Sequence, residues 1–283
     1  MSTTLPGAPA RASAPSSPTP PDPSSGPRRR LPTWQRWISP VAIVVVWQLA
    51  STTGLLAEDE LASPWRVLTA AWDVTLTGEL PQGLAVSLAR VVVGFLLGAV
   101  VGLVLGVWSG LSRWGGLLID PPVQMLRTLP HLALVPLFIL WFGVQETPKV
   151  LLVALGVLFP IYLNVHAGVR GVDPKLLEMA RVSGFDRREV IRHVVVPGAL
   201  PSALTGLRLS LGIAWLSIVV AETVSSDSGL GYMITDAREF LRTDVIVVGL
   251  VVYALLGLGT DALVRRIERR ALRWRPVLAG ADA

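Results

Sequence analysis

Apolar residues run along this chain in long, nearly unbroken stretches parted by short polar ones, rather than in the alternation of a strand or the one-sided stripe of a surface helix. Six such stretches, at about 37–56, 86–108, 123–142, 150–169, 204–224 and 245–264, come close to the twenty or so residues with which a helix crosses hydrocarbon. No water is available there to satisfy free backbone groups, so each stretch is expected to be helical along its length. The pattern predicts an all-α fold, a polytopic bundle of six transmembrane helices. An even number of spans brings both termini to one side.

The second stretch carries Gly94, Gly98, Gly102, Gly106 and Gly110, one glycine every fourth residue. At helical period they share a face on which another backbone can come close, either as static helix packing or as a sliding contact. In the third stretch Pro130 and Pro136 break the internal hydrogen-bond ladder and predict a kink, tolerated where neighbouring helices re-satisfy the freed carbonyls.

Composition agrees with the bilayer as solvent: 52% of the 283 residues are hydrophobic and only 16% charged, with a mean hydropathy of +0.57. The pI near 10.4 does not point to nucleic acid, because the 23 arginines and two lysines are sorted by loop, as orientation in a membrane requires. Arg28, Arg29, Arg30 and Arg36 precede the first span. Arg265, Arg266, Arg269, Arg270, Arg273 and Arg275 follow the last, and Arg170, Lys175, Arg181, Arg187, Arg188 and Arg192 lie between the fourth and fifth. These assign both termini to the cytoplasm, leaving Arg66, Lys149, Arg238 and Arg242 outside.

Residues 1–33, rich in Pro, Ser and Arg, are expected to form a disordered cytoplasmic tail without the apolar core of a signal peptide; residues 275–283 form a short second tail. Without cysteine there is neither a disulfide nor a thiolate site, and His131, His166 and His193 are too scattered for metal-ligand spacing. A phosphate-cradling Gly-x-x-x-x-Gly-Lys loop is also missing, since the lysines are Lys149 and Lys175. No catalytic residue, cofactor or metal is expected, and the chain cannot bind ATP through such a loop.

The loop at 170–200 holds more than a connection needs. Asp173 caps a short helix with Pro174 in its first turn, and Gly184 ends it in a left-handed conformation. Asp186 and Glu189 form a capping box for a second helix, which Pro197 is expected to close. Leu176, Leu177, Met179, Ala180 and Phe185 give this helix-glycine-helix elbow an apolar contact surface.

The elbow resembles the Glu-Ala-Ala motif of the permeases of ATP-binding-cassette importers that work with an extracytoplasmic solute-binding protein. The chain has Glu178-Met179-Ala180, Gly184 at the expected interval and Val194-Val195-Val196-Pro197; Met179 replaces an alanine, and valines replace an isoleucine and a leucine. The resemblance covers 34–274 and implies the type I importer permease fold in the inner membrane, an ABC ATPase subunit and a binding protein as partners, and a second permease copy, as a homodimer. It further implies that Glu178, Met179, Ala180 and Gly184 couple to the ATPase, with Pro197 ending the element; a surface ion pair of Glu178 with Arg181 is the alternative. The stretches 129–143 and 201–208, Ala221-Glu222 and Gly229-Leu-Gly-Tyr232 are similar to the sulfonate, taurine and nitrate permeases, which implies a small anionic solute, with thiamine-precursor-like solutes the alternative.

Arg90, Arg127 and Arg208 lie within or at the ends of apolar stretches, where an ionisable residue is costly enough to be a pathway candidate. For Arg127 and Arg208 the alternative is snorkelling to lipid headgroups. Glu222 pairs with one of these arginines or faces the binding protein, and Asp261 is expected to pair with Arg265 one turn on. A secondary transporter would need coupling carboxylates within its spans, and a membrane hydrolase a clustered nucleophile and base; both are poorer fits.

Overall fold

A computed structural model describes residues 35–56 and 60–274, so both predicted tails lie outside the described residues. By its internal contacts the chain divides within its first helix, at Val45 and Val46, and the unit from Val46 onward holds the elements discussed below. The described residues form helices without strands: α1 Gln35–Thr52, α2 Pro64–Leu76, α3 Glu79–Leu111, α4 Arg113–Arg127, α5 Val135–Phe142, α6 Glu146–Arg170, α7 Pro174–Val182, α8 Arg187–Val190, α9 Val196–Ser225, α10 Leu230–Glu239 and α11 Thr243–Ala271.

Four uninterrupted helices are long and apolar enough to cross a membrane: Glu79–Leu111, Glu146–Arg170, Arg187–Ser225 and Thr243–Ala271. The stretch expected at 123–142 is not one straight span. Its residues divide between α4 and a second arm, the tight turn His131–Leu134 continued by α5, and the two arms are bent by 83° across the break at 128–130. Pro130 supplies no N–H and disfavours helical geometry at Leu129, while Pro136 suits the first turn of α5, so the two prolines break the helix rather than bend it. The first apolar helix, Ile38–Thr52, is shorter than the four long ones. Six spans were expected; the described residues provide these four, the broken pair and this shorter helix.

The core is built around α6. The glycine stripe of α3 faces it, and an added Cβ at Gly98 would lie 2.2 Å from the Ala154 carbonyl oxygen, while those at Gly94, Gly102, Gly106 and Gly110 would lie within 3 Å of α6 atoms. The two backbones thus touch where side chains are missing. On its other side α6 meets α9 in the same way, with Gly156 against Ile213 and Ser217 and Gly206 against Asn164 and the Pro160 carbonyl. Val91, Val153, Val157, Ile161, Val165, Trp215 and Ile218 fill the space between the three helices. A second cluster joins α2, α10 and α11 through Ala70, Val74, Leu230, Met233, Val245 and Val248. Outward positions of α3 such as Leu96, Val100 and Val104 are apolar and exposed, as suits a helix solvated by lipid tails.

Pro197 does not close the second elbow helix. α8 continues through a π-turn at Ile191–Val195 into α9, making one helical element of 39 residues. A proline lacks the N–H for the bond to residue i−4 and its ring crowds that carbonyl. The wider π-turn just before it shifts the bonding pattern at the point where the ladder would fail.

Candidate coupling elbow and buried charge cluster

The elbow takes its shape from local rules. The Asp173 carboxylate accepts a hydrogen bond from the Lys175 N–H at 2.9 Å and caps α7. At the other end Gly184 adopts φ +84°, the Phe185 N–H donates to the Ala180 carbonyl and the Gly184 N–H to that of Arg181, both at 3.0 Å. This doubly bonded C-terminus needs a left-handed residue at position 184. Asp186 and Glu189 then close both bonds of the capping box, at 2.6 and 2.8 Å.

Glu178, Met179 and Gly184 are exposed, whereas Ala180 is buried. Met179, 62% exposed, and Val182, 89% exposed, with Leu176 and Phe185 leave an apolar patch on the elbow. Among the described residues no ion pair joins Glu178 to Arg181. Pro197, inside the long helix, is set apart from the other four.

At the opposite end of the same long helix, Glu222 is buried in a charge cluster with Arg90. The Arg90 guanidinium donates through Nε and Nη2 to the two Glu146 oxygens, each at 2.6 Å, the bidentate fork that suits a carboxylate. Its Nη1 reaches Glu222 Oε1 at 2.8 Å and the Ser228 carbonyl at 2.7 Å, and Nη2 also meets Ser228 Oγ at 3.0 Å. Glu222 accepts from Ser87 Oγ at 2.8 Å, from the Gly231 N–H at 2.9 Å and from the Tyr253 hydroxyl at 3.2 Å. Lys149 Nζ, itself buried, donates to Glu146 at 3.1 Å. Two cations and two carboxylates thereby balance, and α3, α6, α9, α10 and α11 meet at one point.

Arg90 and Glu222 therefore form a closed pair: the guanidinium is 4% exposed and its donors are met within the protein. Both charges are buried at acceptable cost because each is paired and the remaining lone pairs and protons are satisfied. The close approach rests on two glycines, since a Cβ at Gly229 or Gly231 would come within 2.5 Å of the Glu222 side chain.

The other pathway candidates lie elsewhere. Arg127 is exposed at the end of α4. Arg208 is half-exposed and pairs with Asp261 at 2.6 Å, and Asp261 also accepts from Arg265, the partner expected for it. The structure thus brings Arg90 and Glu222 together and leaves Arg127 and Arg208 apart from them. Sequence reasoning missed Glu146, Lys149, Ser87 and Tyr253; the available signal was local, with Glu146 and Lys149 one turn apart at the start of a span and Ser87 and Arg90 likewise on one face of α3.

Residues 94–273 match the family described as the binding-protein-dependent transport system inner membrane component. The protein named aliphatic sulfonates transport permease protein SsuC of Escherichia coli (strain K12) is 53% identical over 240 residues, 85% of this chain and 91% of its own length. The taurine transport system permease protein TauC of the same strain is 34% identical over 237 residues, covering 82% and 86% of the two chains. Among solved structures, a chain of an amino acid ABC transporter crystallised with histidines superimposes with a TM-score of 0.59 at 21% identity, covering 70% of this chain and 96% of that one. At that identity the likeness concerns the fold.

Proposed function

The chain belongs to the binding-protein-dependent transport system inner membrane component family, and from that premise we propose that it forms, as a homodimer, the translocation pathway of an importer for aliphatic sulfonates. As a member of that family it is a membrane permease subunit, working with an ATPase subunit and a solute-binding protein. The choice of solute is supported by the 53% identity to a protein named for aliphatic sulfonates, against 34% to one named for taurine. Arginine placement supports a cytoplasmic elbow and termini, with the Arg90 cluster at the outer face. Arg127 and Arg208, exposed on that reading near the cytoplasmic side, are suited to lipid headgroups or the entering anion.

The observation that carries the coupling reading is the continuity of one helix from elbow to cluster. Arg187–Ser225 is a single 39-residue element, roughly 58 Å at helical rise, with the capped elbow at one end and Glu222 near the other. A rigid-body displacement of the elbow by a closing ATPase moves that whole rod against α6, across the close contacts at Gly156 and Gly206. Glu178, Met179 and Gly184 are exposed where an ATPase would dock, Ala180 is buried on the other side of α7, and Pro197 with its π-turn lies where the rod leaves the elbow. ATP binding draws the two elbows together and opens the pathway outward; hydrolysis returns it inward.

Co-expression with the ATPase subunit tests this. Wild type is expected to co-purify and to respond to the loaded binding protein with faster ATP hydrolysis, whereas Gly184→Trp fails to assemble or loses that stimulation. Equal behaviour of the two would remove the elbow as the docking site. Uptake of alkanesulfonate, taurine and nitrate into proteoliposomes holding the full transporter then reads the cargo, with alkanesulfonate expected to lead.

A further inference from the structure

Behind the exposed face of the elbow lies a cavity of about 550 Å³, within the size range of small-molecule sites. Leu111 from the end of α3, Val169 from the end of α6, Phe185 from the elbow, and Ile191 and Val195 from the π-turn give it apolar walls. Arg181 and Arg187 bring two guanidinium groups to it. No acidic residue is among the described residues lining it, and the acids nearest in sequence to Arg187, Asp186 and Glu189, are held in the capping box. Neither arginine has an ion pair among the described residues.

Two exposed guanidiniums without an ion pair among the described residues, beside a half-open apolar cavity, match a ligand with the same two parts, an oxyanion and a hydrocarbon chain. A cation is repelled, and a bare inorganic anion leaves the apolar walls unfilled. The occupant also leaves docking space free. Leu177 and Arg181, one turn apart, face the cavity, while Met179 and Val182 stay exposed elsewhere on α7.

We propose that this cavity binds an aliphatic sulfonate on the elbow side of the membrane and thereby slows the transporter. Resting on the cargo reading above, this makes the occupant an anion that has already been delivered. Its sulfonate would bridge Arg181 on α7 and Arg187 on α8, and its chain would fill the space against α3 and α6. The occupant thus ties the elbow to the ends of the spans past which it must move, and the coupling stroke is resisted as delivered solute accumulates.

The test uses the permease–ATPase complex in neutral detergent without binding protein, titrated with hexanesulfonate and followed by thermal unfolding. Saturable stabilisation of wild type is expected, with affinity weakened at least about tenfold in the double variant Arg181→Gln/Arg187→Gln, the equivalent of losing one charge-assisted contact. Should that variant not assemble, Leu111→Ala at the end of α3, outside the elbow, serves instead: it weakens hexanesulfonate but leaves the weaker binding of inorganic sulfate unchanged. Adding hexanesulfonate to the complex with loaded binding protein in neutral detergent lowers stimulated ATP hydrolysis in wild type and not in the variant. Equal binding by wild type and variants overturns the proposal. So does an effect of phosphatidylglycerol, but not of hexanesulfonate, that the arginine substitutions abolish, since the site would then be a lipid site. Uptake separates the two readings: a transporter that imports alkanesulfonate but shows no arginine-dependent binding loses only the elbow site, and one that imports none loses the cargo assignment.

Discussion

At one end of the long helix Arg187–Ser225, Glu222 is sealed with Arg90 among groups drawn from five helices. At the other end, the elbow takes its form from caps a few residues apart and leaves Met179 and Val182 in the open. The first region is tertiary, electrically balanced and buried at Arg90, Lys149 and Glu222; the second is local and exposed, and its Arg181 and Arg187 have no ion pair among the described residues. On the coupling role proposed above, a rod that transmits motion needs both, a tip able to meet a partner without disturbing the core and a far end whose position is fixed by many contacts at once. The charges of the buried cluster are met within the protein, so it offers no free anion site.

The comparison breaks most sharply at Glu222. Glu222→Ala leaves Arg90 with Glu146 as its one carboxylate partner beside Ser226 and Ser228, takes the acceptor from the hydroxyls of Ser87 and Tyr253 and from the Gly231 N–H, and is expected to cost about 3–5 kcal/mol. A large fall in the unfolding temperature of the purified transporter, or its failure to accumulate, is the outcome to look for; a loss under about 1 kcal/mol would mean that the cluster is not the anchor described.

The glycine seam comes next. Gly98→Ala pushes a methyl to 2.2 Å from the Ala154 oxygen, backbone that cannot swing aside, so a cost of about 1–3 kcal/mol is expected. Gly257→Ala on α11, where a Cβ meets no described atom within 4 Å, is the matched control. It should be neutral or stabilise slightly, since alanine is the better helix former. Equal unfolding temperatures for the two variants would show that α3 and α6 can part at little cost, in favour of a sliding seam.

The all-helical fold and four long spans were legible because each rests on apolar length, a property of consecutive residues. The elbow was legible for a similar reason: Asp173 with Pro174, Gly184, and Asp186 with Glu189 obey rules that reach no further than one turn. The charge cluster was not. Arg90 meets Glu146 across 56 residues and Glu222 across 132, and pairings at such distances leave no periodic trace. Arg90 was readable as costly, but whether its charge faced a solute or a carboxylate depended on which helices became neighbours. Pro197 misled because its effect turned on the π-turn before it, whereas the kink expected from Pro130 and Pro136 is present, as a sharp break of 83°. The amphipathic α2 and α10 are too short and mixed to stand out beside 20-residue apolar runs.

The smallest expected effect sharpens the contrast between sealed and open charges. Arg208 and Asp261 are joined at 2.6 Å, closer than Arg90 and Glu222 at 2.8 Å, but their side chains are 48% and 28% exposed against 4% and 0%. Distance alone would rank the pair with the buried cluster; screening ranks it far below, because an exposed pair gains little over its separately solvated ions. Asp261 also keeps Arg265 as a second partner, which would hold it in place after Arg208 is lost. A double-mutant cycle of Arg208→Gln with Asp261→Asn, read by thermal unfolding, should therefore return a coupling of at most about 0.5 kcal/mol. A value above about 1 kcal/mol would mean that lipid or a second copy shields the pair in the assembled transporter. Burial, rather than the shortness of the contact, would remain the property that separates the two kinds of ion pair.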